Sequence, residues 1–267
     1  MSLTTLALAS EKGGVGKTTL TLNLSYALAK RGWKTLVVDT DPQGGIASST
    51  HQKLRAHRGL VGVIAGDTTV AEDMVVTREP QLALLPVGPV GVSMIWFEQL
   101  ANGDAIRAFL DTVPDDFDIV IFDTPPGANG ATLGVLRACQ HVISPLQAEP
   151  LAARSIPSFL KLLGALRGSG EAARLAGFVL TMLQSRNEDS LGVAQESWRL
   201  LEEQYVFDSA VPRDPAFLAA STAGAPLALL RKRPPAVAAI FDQLAAEVET
   251  RLGMELEEES GAIPLLD

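Results

Sequence analysis

A single cysteine, Cys139, occurs in the 267 residues, which excludes a disulfide framework and any four-cysteine metal site within one chain. That usage suits a reducing cytosol, and Cys139 itself reads as a small buried hydrophobe. No run of about 18 uninterrupted apolar residues occurs, so no membrane-spanning helix is expected. The first residues have no basic segment ahead of a long apolar one, and Ser10-Glu11-Lys12 interrupts the early apolar run, so a secretory leader is not expected. Positive charge is also scarce. Against 31 Asp and Glu there are 22 Lys and Arg, a net charge of −9 that by itself argues against a nucleic-acid partner. Its distribution matters more: residues 254–267 hold Glu255, Glu257, Glu258, Glu259 and Asp267 with no base, which leaves −4 on the rest and room for local basic patches.

With 47% hydrophobic residues, the chain can bury one large core. We expect one domain over 1–253 and an acidic, disordered tail over 254–267 with a small apolar end at Ile263, Leu265 and Leu266. Along the chain, short apolar runs alternate with helical patterns. Strands are expected at Leu3–Ala9, Thr35–Val38, Leu82–Pro86, Phe117–Phe122, His141–Ser144, Leu175–Met182 and Ser209–Val211. Helices are expected at Thr18–Arg31, at Met94–Val113 with a break near Asn102-Gly103, and at Ile156–Leu166, Leu191–Glu203, Pro215–Thr222 and Ala236–Leu252. Residues 46–80 are less regular. The alternation predicts an α/β fold with a doubly wound, mostly parallel sheet and helices on both faces.

Between the first strand and the first helix lies Ser10-Glu11-Lys12-Gly13-Gly14-Val15-Gly16-Lys17-Thr18-Thr19. Glycines here let successive backbone N–H groups face one point, and the helix N-terminus adds partial positive charge, so the stretch is a candidate phosphate cradle. Lys17 is spaced to reach β/γ-phosphates, and the Thr18 hydroxyl to take one Mg²⁺ position. The ordinary P-loop pattern would put its first glycine at position 11, where this chain has Glu11; a second lysine, Lys12, stands before the glycine pair instead. The pattern K-G-G-x-G-K-T-T resembles the deviant Walker A motif of the ParA/MinD superfamily of P-loop NTPases.

That resemblance implies an ATPase that uses ATP and Mg²⁺. Gly13, Gly14, Val15, Gly16, Lys17, Thr18 and Thr19 would wrap the phosphates, while Lys12 would cross an ATP-bound homodimer to the partner's phosphates. The strand ending at Asp123, followed by Thr124-Pro125-Pro126-Gly127, resembles a Walker B strand whose aspartate holds Mg²⁺. Asp39-Thr40-Asp41-Pro42-Gln43-Gly44 resembles the family's switch I, which gives Asp41 the water-orienting role and Asp39 a supporting one near Mg²⁺ or Lys17. Pro145-Leu146-Gln147-Ala148-Glu149 resembles a dimer-face segment near the nucleotide. Val211-Pro212-Arg213-Asp214 resembles the adenine-side loop, with Pro212 and Asp214 beside the base and Asp214 in place of the commoner asparagine. Glu11, unfavourable beside a polyanion, is expected to point away.

Within the superfamily, one cysteine excludes the two-cysteine iron–sulfur site of a nitrogenase-iron-protein-like carrier. Tyr26 and Tyr205 are too few for a tyrosine-kinase-like cluster. The acidic residues 254–267 do not resemble the basic amphipathic helix of MinD-like membrane ATPases, so no membrane partner is expected. The ParA-like branch remains. It implies a cytoplasmic, nucleoid-associated ATPase whose ATP dimer binds nonspecific DNA and which positions a plasmid, chromosome locus or protein cargo. A ParB-like activator or cargo adaptor would trigger release. Arg186 resembles a DNA-contacting arginine of chromosome-partitioning members, and Arg231-Lys232-Arg233 is the densest basic run. The alternative is a nucleotide-switched scaffold that recruits a protein without DNA.

Overall fold

Alternate residues of the inner strands serve two different cores, which is what a sheet buried on both faces demands. Leu6 and Leu8 enter one hydrophobic cluster while Ala7 and Ala9 enter another; Ile119 and Ile121 divide from Val120 and Phe122 in the same way. The computed structural model describes residues 3–89, 94–149, 153–170, 172–184, 187–188, 190–192, 195, 201 and 203–255. Seven strands form one sheet: β1 (Thr4–Leu8), β2 (Thr35–Asp39), β3 (Val75–Val76), β4 (Leu82–Leu85), β5 (Ile119–Asp123), β6 (His141–Gln147) and β7 (Arg174–Thr181). Their order is β3-β4-β2-β5-β1-β6-β7, and every described pairing is parallel except β3 with β4. The expected doubly wound architecture is therefore present.

Helix α1 (Lys17–Lys30) lays Leu20, Leu24, Ala27 and Leu28 on one face of the sheet against Phe241, Leu244, Ala245 and Val248 of the helix Ala239–Leu252. Arg31 Nε and Nη2 donate to the two oxygens of Glu249 at 2.6 and 2.5 Å, and Trp33 Nε1 donates to the same carboxylate at 2.7 Å. Burial alone would push Glu249 upward, but these two donors and the Arg31 charge leave its pKa below the usual value. The opposite face is covered by the helices Asp104–Leu110, Gly130–Ala138 and Ile156–Gly168.

Several expectations need correction. The helix Gly130–Ala138 and the edge strand β3 were not anticipated. The expected strand Ser209–Val211 does not form; residues 206–213 instead follow β7 and Leu183 through separate contacts, among them a Phe178–Val206 bridge, a Leu183–Pro212 bridge and Val211 N–H donating to the Leu180 carbonyl. The helical region after Met94 breaks at Gly103, as expected, where φ is 84°. Much of the expected helix Leu191–Glu203, and residues 256–267 of the expected acidic tail, lie outside the described residues.

Candidate active site

The site lies where β1, β2 and β5 end, because in a parallel sheet the loops leaving the carboxyl ends of neighbouring strands share one crevice. Asp123 at the end of β5 stands in register with Leu8 on one side and Asp39 on the other. Two carboxylates are thereby fixed side by side, Asp39 fully buried and Asp123 1% exposed. Thr40 locks this edge, its N–H and hydroxyl both donating to the Asp123 carbonyl at 2.9 and 2.8 Å.

The loop 10–16 needs left-handed backbone at Gly14 (φ 74°) and Gly16 (φ 90°), a conformation that favours glycine. It is held from three directions. Gly127 N–H donates to the Ser10 carbonyl at 3.0 Å, Thr181 Oγ1 to the Val15 carbonyl at 2.9 Å, and Ser10 Oγ to the Lys12 carbonyl at 2.9 Å. Lys17 Nζ reaches Ser10 Oγ at 3.3 Å and the Lys12 carbonyl at 3.4 Å. Lys12, Gly13 and Gly14 are exposed on the loop, Val15 is buried beneath it, and Thr19 is exposed on the first turn of α1.

Thr18 Oγ1 donates to Asp123 Oδ2 at 2.6 Å, and Thr21 Oγ1 to Asp123 Oδ1 at 3.2 Å. Burial pushes Asp123 up to about 6, against the pull of the Thr18 hydrogen bond and the Lys17 charge. Burial also pushes Asp39 well above the ordinary carboxylate range, Asp123 beside it adds to the effect, and the N–H groups of Asp41 and Ile46 at 3.0 Å each draw it back. Lys17 is moved the other way: desolvation lowers its pKa while Asp123 and Asp41 oppose the shift. Two desolvated carboxylates at neighbouring strand ends and a hydroxyl from the first turn of α1 form a donor set suited to a hard cation. Among the described residues no group of three or more His, Cys, Asp or Glu forms a metal cage, so a cation here would need oxygens from its ligand as well.

The segment after β2 folds over this edge. Asp41 Oδ1 accepts from Gln43 N–H at 2.9 Å, and the Asp41 carbonyl from Gly44 N–H at 2.8 Å, a tight turn with Gly44 at φ 63°. A Cβ at Gly45 would lie 2.9 Å from Thr18 Oγ1 and 3.6 Å from Asp123 Oδ2. Gly45→Ala therefore pushes on the hydroxyl without straining the backbone. Displacing a reacting geometry by about 1 Å can cost on the order of 10²-fold. We expect Mg²⁺-dependent turnover to fall roughly 10- to 100-fold with the melting temperature little changed; wild-type turnover in steady-state assays would show that Gly45 does not set the Thr18 position.

The remaining candidates are placed around this centre. The Glu11 carboxylate accepts from Ser158 Oγ at 2.7 Å, on the helix Ile156–Gly168. Glu149 is exposed just past β6, its Oε1 accepting from Gln147 Nε2 at 2.6 Å. Pro212 bridges Leu183 beyond the end of β7, and Asp214 caps its own helix, Pro215–Ala223, by accepting from Ala216 N–H at 2.7 Å. That helix stops at Gly224 (φ 64°), where any Cβ would overlap the carbonyl oxygen of Thr50, just beyond the short helix Gly45–Ser49. Arg231, Lys232 and Arg233 form an exposed run, and Arg186 lies outside the described residues. Sequence reasoning missed Thr21 and Thr181. Thr21 was findable, since it falls three residues after Thr18 and so on the same side of α1; Thr181 is brought in only by the pairing of β6 with β7.

Comparison with known proteins gives a consistent result. Residues 3–173 match the family model described as an AAA domain. The chain is 31% identical over 233 residues to the chromosome partitioning protein ParA of Caulobacter vibrioides, covering 85% of this chain and 87% of the other. It is 33% identical over 254 residues to the chromosome-partitioning ATPase Soj of Thermus thermophilus, covering 92% and 96%. Its fold is similar to cobyrinic acid a,c-diamide synthase from Mycobacterium smegmatis, solved with a bound ATP analogue and magnesium, at TM-score 0.77 and 28% identity over 95% of this chain and 97% of that one.

Proposed function

The chain belongs to the ParA/MinD superfamily and is a ParA-like ATPase; from that premise we propose that it forms an ATP-dependent homodimer, binds DNA without sequence preference, and positions a DNA or protein cargo. The observation that carries the nucleotide chemistry is the convergence of Lys17, Thr18, Asp39 and Asp123 on one strand edge beneath a glycine nest. The donor set fits Mg²⁺, which Thr18 and Asp123 would hold, with Asp39 in support. Bound there, Mg²⁺ would neutralise phosphate charge.

The protein's own groups account for the rest. The loop 13–19 supplies backbone N–H groups and the positive end of α1 for the phosphates. Lys17, already directed over the nest, exchanges its bonds to Ser10 Oγ and the Lys12 carbonyl for phosphate oxygens. Asp41 receives the proton side of the attacking water and orients it in line, which is most of what phosphoryl transfer asks of a protein. Lys12 contributes charge across the dimer, so hydrolysis and association are coupled. Pro212 and Asp214 border the base, and Glu149 lies along the dimer face.

DNA binding is supported by the exposed run Arg231-Lys232-Arg233, with Arg186 as a further contact, and by similarity to chromosome-partitioning relatives. Two protomers offering three or four cations each make roughly 6–8 phosphate contacts, so affinity should drop on the order of 10³-fold or more between about 50 and 200 mM salt. The test is binding to random-sequence duplex with no nucleotide, ADP and ATP, with dimerisation followed in parallel. We expect salt-sensitive binding confined to the ATP state, prolonged in Asp41→Ala and lost in Arg231→Glu. An ATP dimer that never binds DNA would transfer the function to a protein-recruiting switch.

A further inference from the structure

At the opposite end of the sheet, where the parallel strands begin, a cleft of about 1420 Å³ opens between the last turns of the helices Gly130–Ala138, Ile156–Gly168 and Ala239–Leu252. Thr4, His141 and Arg174, the first residues of β1, β6 and β7, are part of its lining. Three arginines converge on it. Arg137 donates through Nη1 to Ser169 Oγ at 3.1 Å, while its Nε is buried with no hydrogen-bond partner. Arg167 Nη2 donates to the Ala173 carbonyl at 3.2 Å, and Arg174 is exposed. Among the described residues none of the three is ion-paired.

Among the described residues of the lining, two acids stand against these three arginines. One oxygen of Asp118 already accepts from Lys34 N–H at 2.7 Å, and Glu255 is the other acid. Two large apolar side chains, Leu160 and Tyr205, are 40% and 37% exposed there. Among the described residues, the cleft therefore pairs an excess of guanidinium charge with open apolar surface.

Glu255 fixes where the following sequence starts: at this cleft. The chain continues with Leu256-Glu257-Glu258-Glu259 and, further on, Ile263, Leu265 and Leu266. Glu259 is four residues past Glu255, within about 14 Å of extended chain. We propose that the cleft is a docking site for an acidic segment and that its occupant is residues 256–267 of the same chain. Glu257, Glu258 and Glu259 meet Arg137, Arg167 and Arg174, and the apolar residues 263–266 meet Leu160 and Tyr205. Docking withdraws three guanidiniums from other polyanions and leaves the nucleotide edge uncovered. Exposed ion pairs are individually weak and screened by salt, so the contact is reversible.

Cleavage of the full chain by a glutamate-specific protease tests this, with a synthetic 256–267 peptide as the control for the protease itself. Relative to that peptide, cleavage after Glu259 in the wild type should be roughly 10-fold slower at low salt than at about 0.5 M. Arg167→Glu/Arg174→Glu should remove the protection at low salt. Glu257→Lys/Glu258→Lys, which leaves the folded body untouched, should expose Glu259 to the same degree. ATP turnover should be unchanged in both, and the melting temperature unchanged in Glu257→Lys/Glu258→Lys. Equal low-salt rates for wild type and both variants, or protection that survives charge reversal, would overturn the proposal.

Discussion

Lys12→Ala is expected to abolish the ATP-induced dimer and to lower turnover on the order of 10³-fold, while a nucleotide still binds the single protomer. The size follows from the role proposed for Lys12: a cation delivered across an interface to phosphoryl oxygens is worth about 10³–10⁵ in rate in the systems where it is known. Ser10 Oγ and Lys17 Nζ hold the carbonyl oxygen of residue 12, which alanine retains, and the side chain leaves from an exposed position on the loop. Nucleotide affinity, dimer mass and single-turnover rate should be measured together. A variant that still dimerises with ATP and turns over normally would remove Lys12 from the mechanism.

Asp123→Asn should show two effects of opposite sign. Burial raises this carboxyl to about 6, against an ordinary value of 3.8, with Asp39 beside it. A group whose folded pKa lies above its unfolded value contributes stability that is present below the unfolded pKa and lost as pH rises through the folded one. At pH 7 the nucleotide-free protein therefore carries a destabilising charge, on the order of 2–3 kcal/mol for a shift of this size. Asparagine keeps an acceptor and a donor for the Thr18 and Thr21 hydroxyls and removes the charge. The melting temperature without nucleotide should rise by several degrees, while Mg²⁺-dependent hydrolysis should fall about 10²-fold or more. A loss of both stability and activity would mean that Asp123 is chiefly a structural acceptor.

The path from sequence to structure succeeded where neighbouring residues carry the signal. The strand–loop–helix of residues 4–30 and the strand Thr35–Asp39 came out within a residue or so, because short apolar runs, the glycine turn and helical spacing are all local. The helix Gly130–Ala138 was hidden for the opposite reason. Gly130 and Gly134 weaken its intrinsic propensity, yet a Cβ at either would overlap the backbone around Glu98 and Leu100. The glycines serve a contact with a segment about 30 residues earlier, which no window of sequence displays. Strand β3, two residues long, is defined only by its antiparallel partner β4. In the site, Lys17, Thr18 and Asp123 were legible from motif and strand end. The nearness of Gly45 to the Thr18 hydroxyl needed coordinates, since the two lie on separate segments.

The contact of Gly224 with Thr50 works like a bearing without play. One side belongs to the segment that begins at Asp39 and Asp41; the other begins at Asp214 and continues to Arg231, Lys232 and Arg233, anchored on the way by Leu227 N–H donating to Asn23 Oδ1 of α1 at 2.8 Å. Backbone meets backbone there, with no side chain between to absorb a shift. Travel of residues 45–50 must either open a gap at that corner or be delivered, undamped, to the arm that carries the basic run.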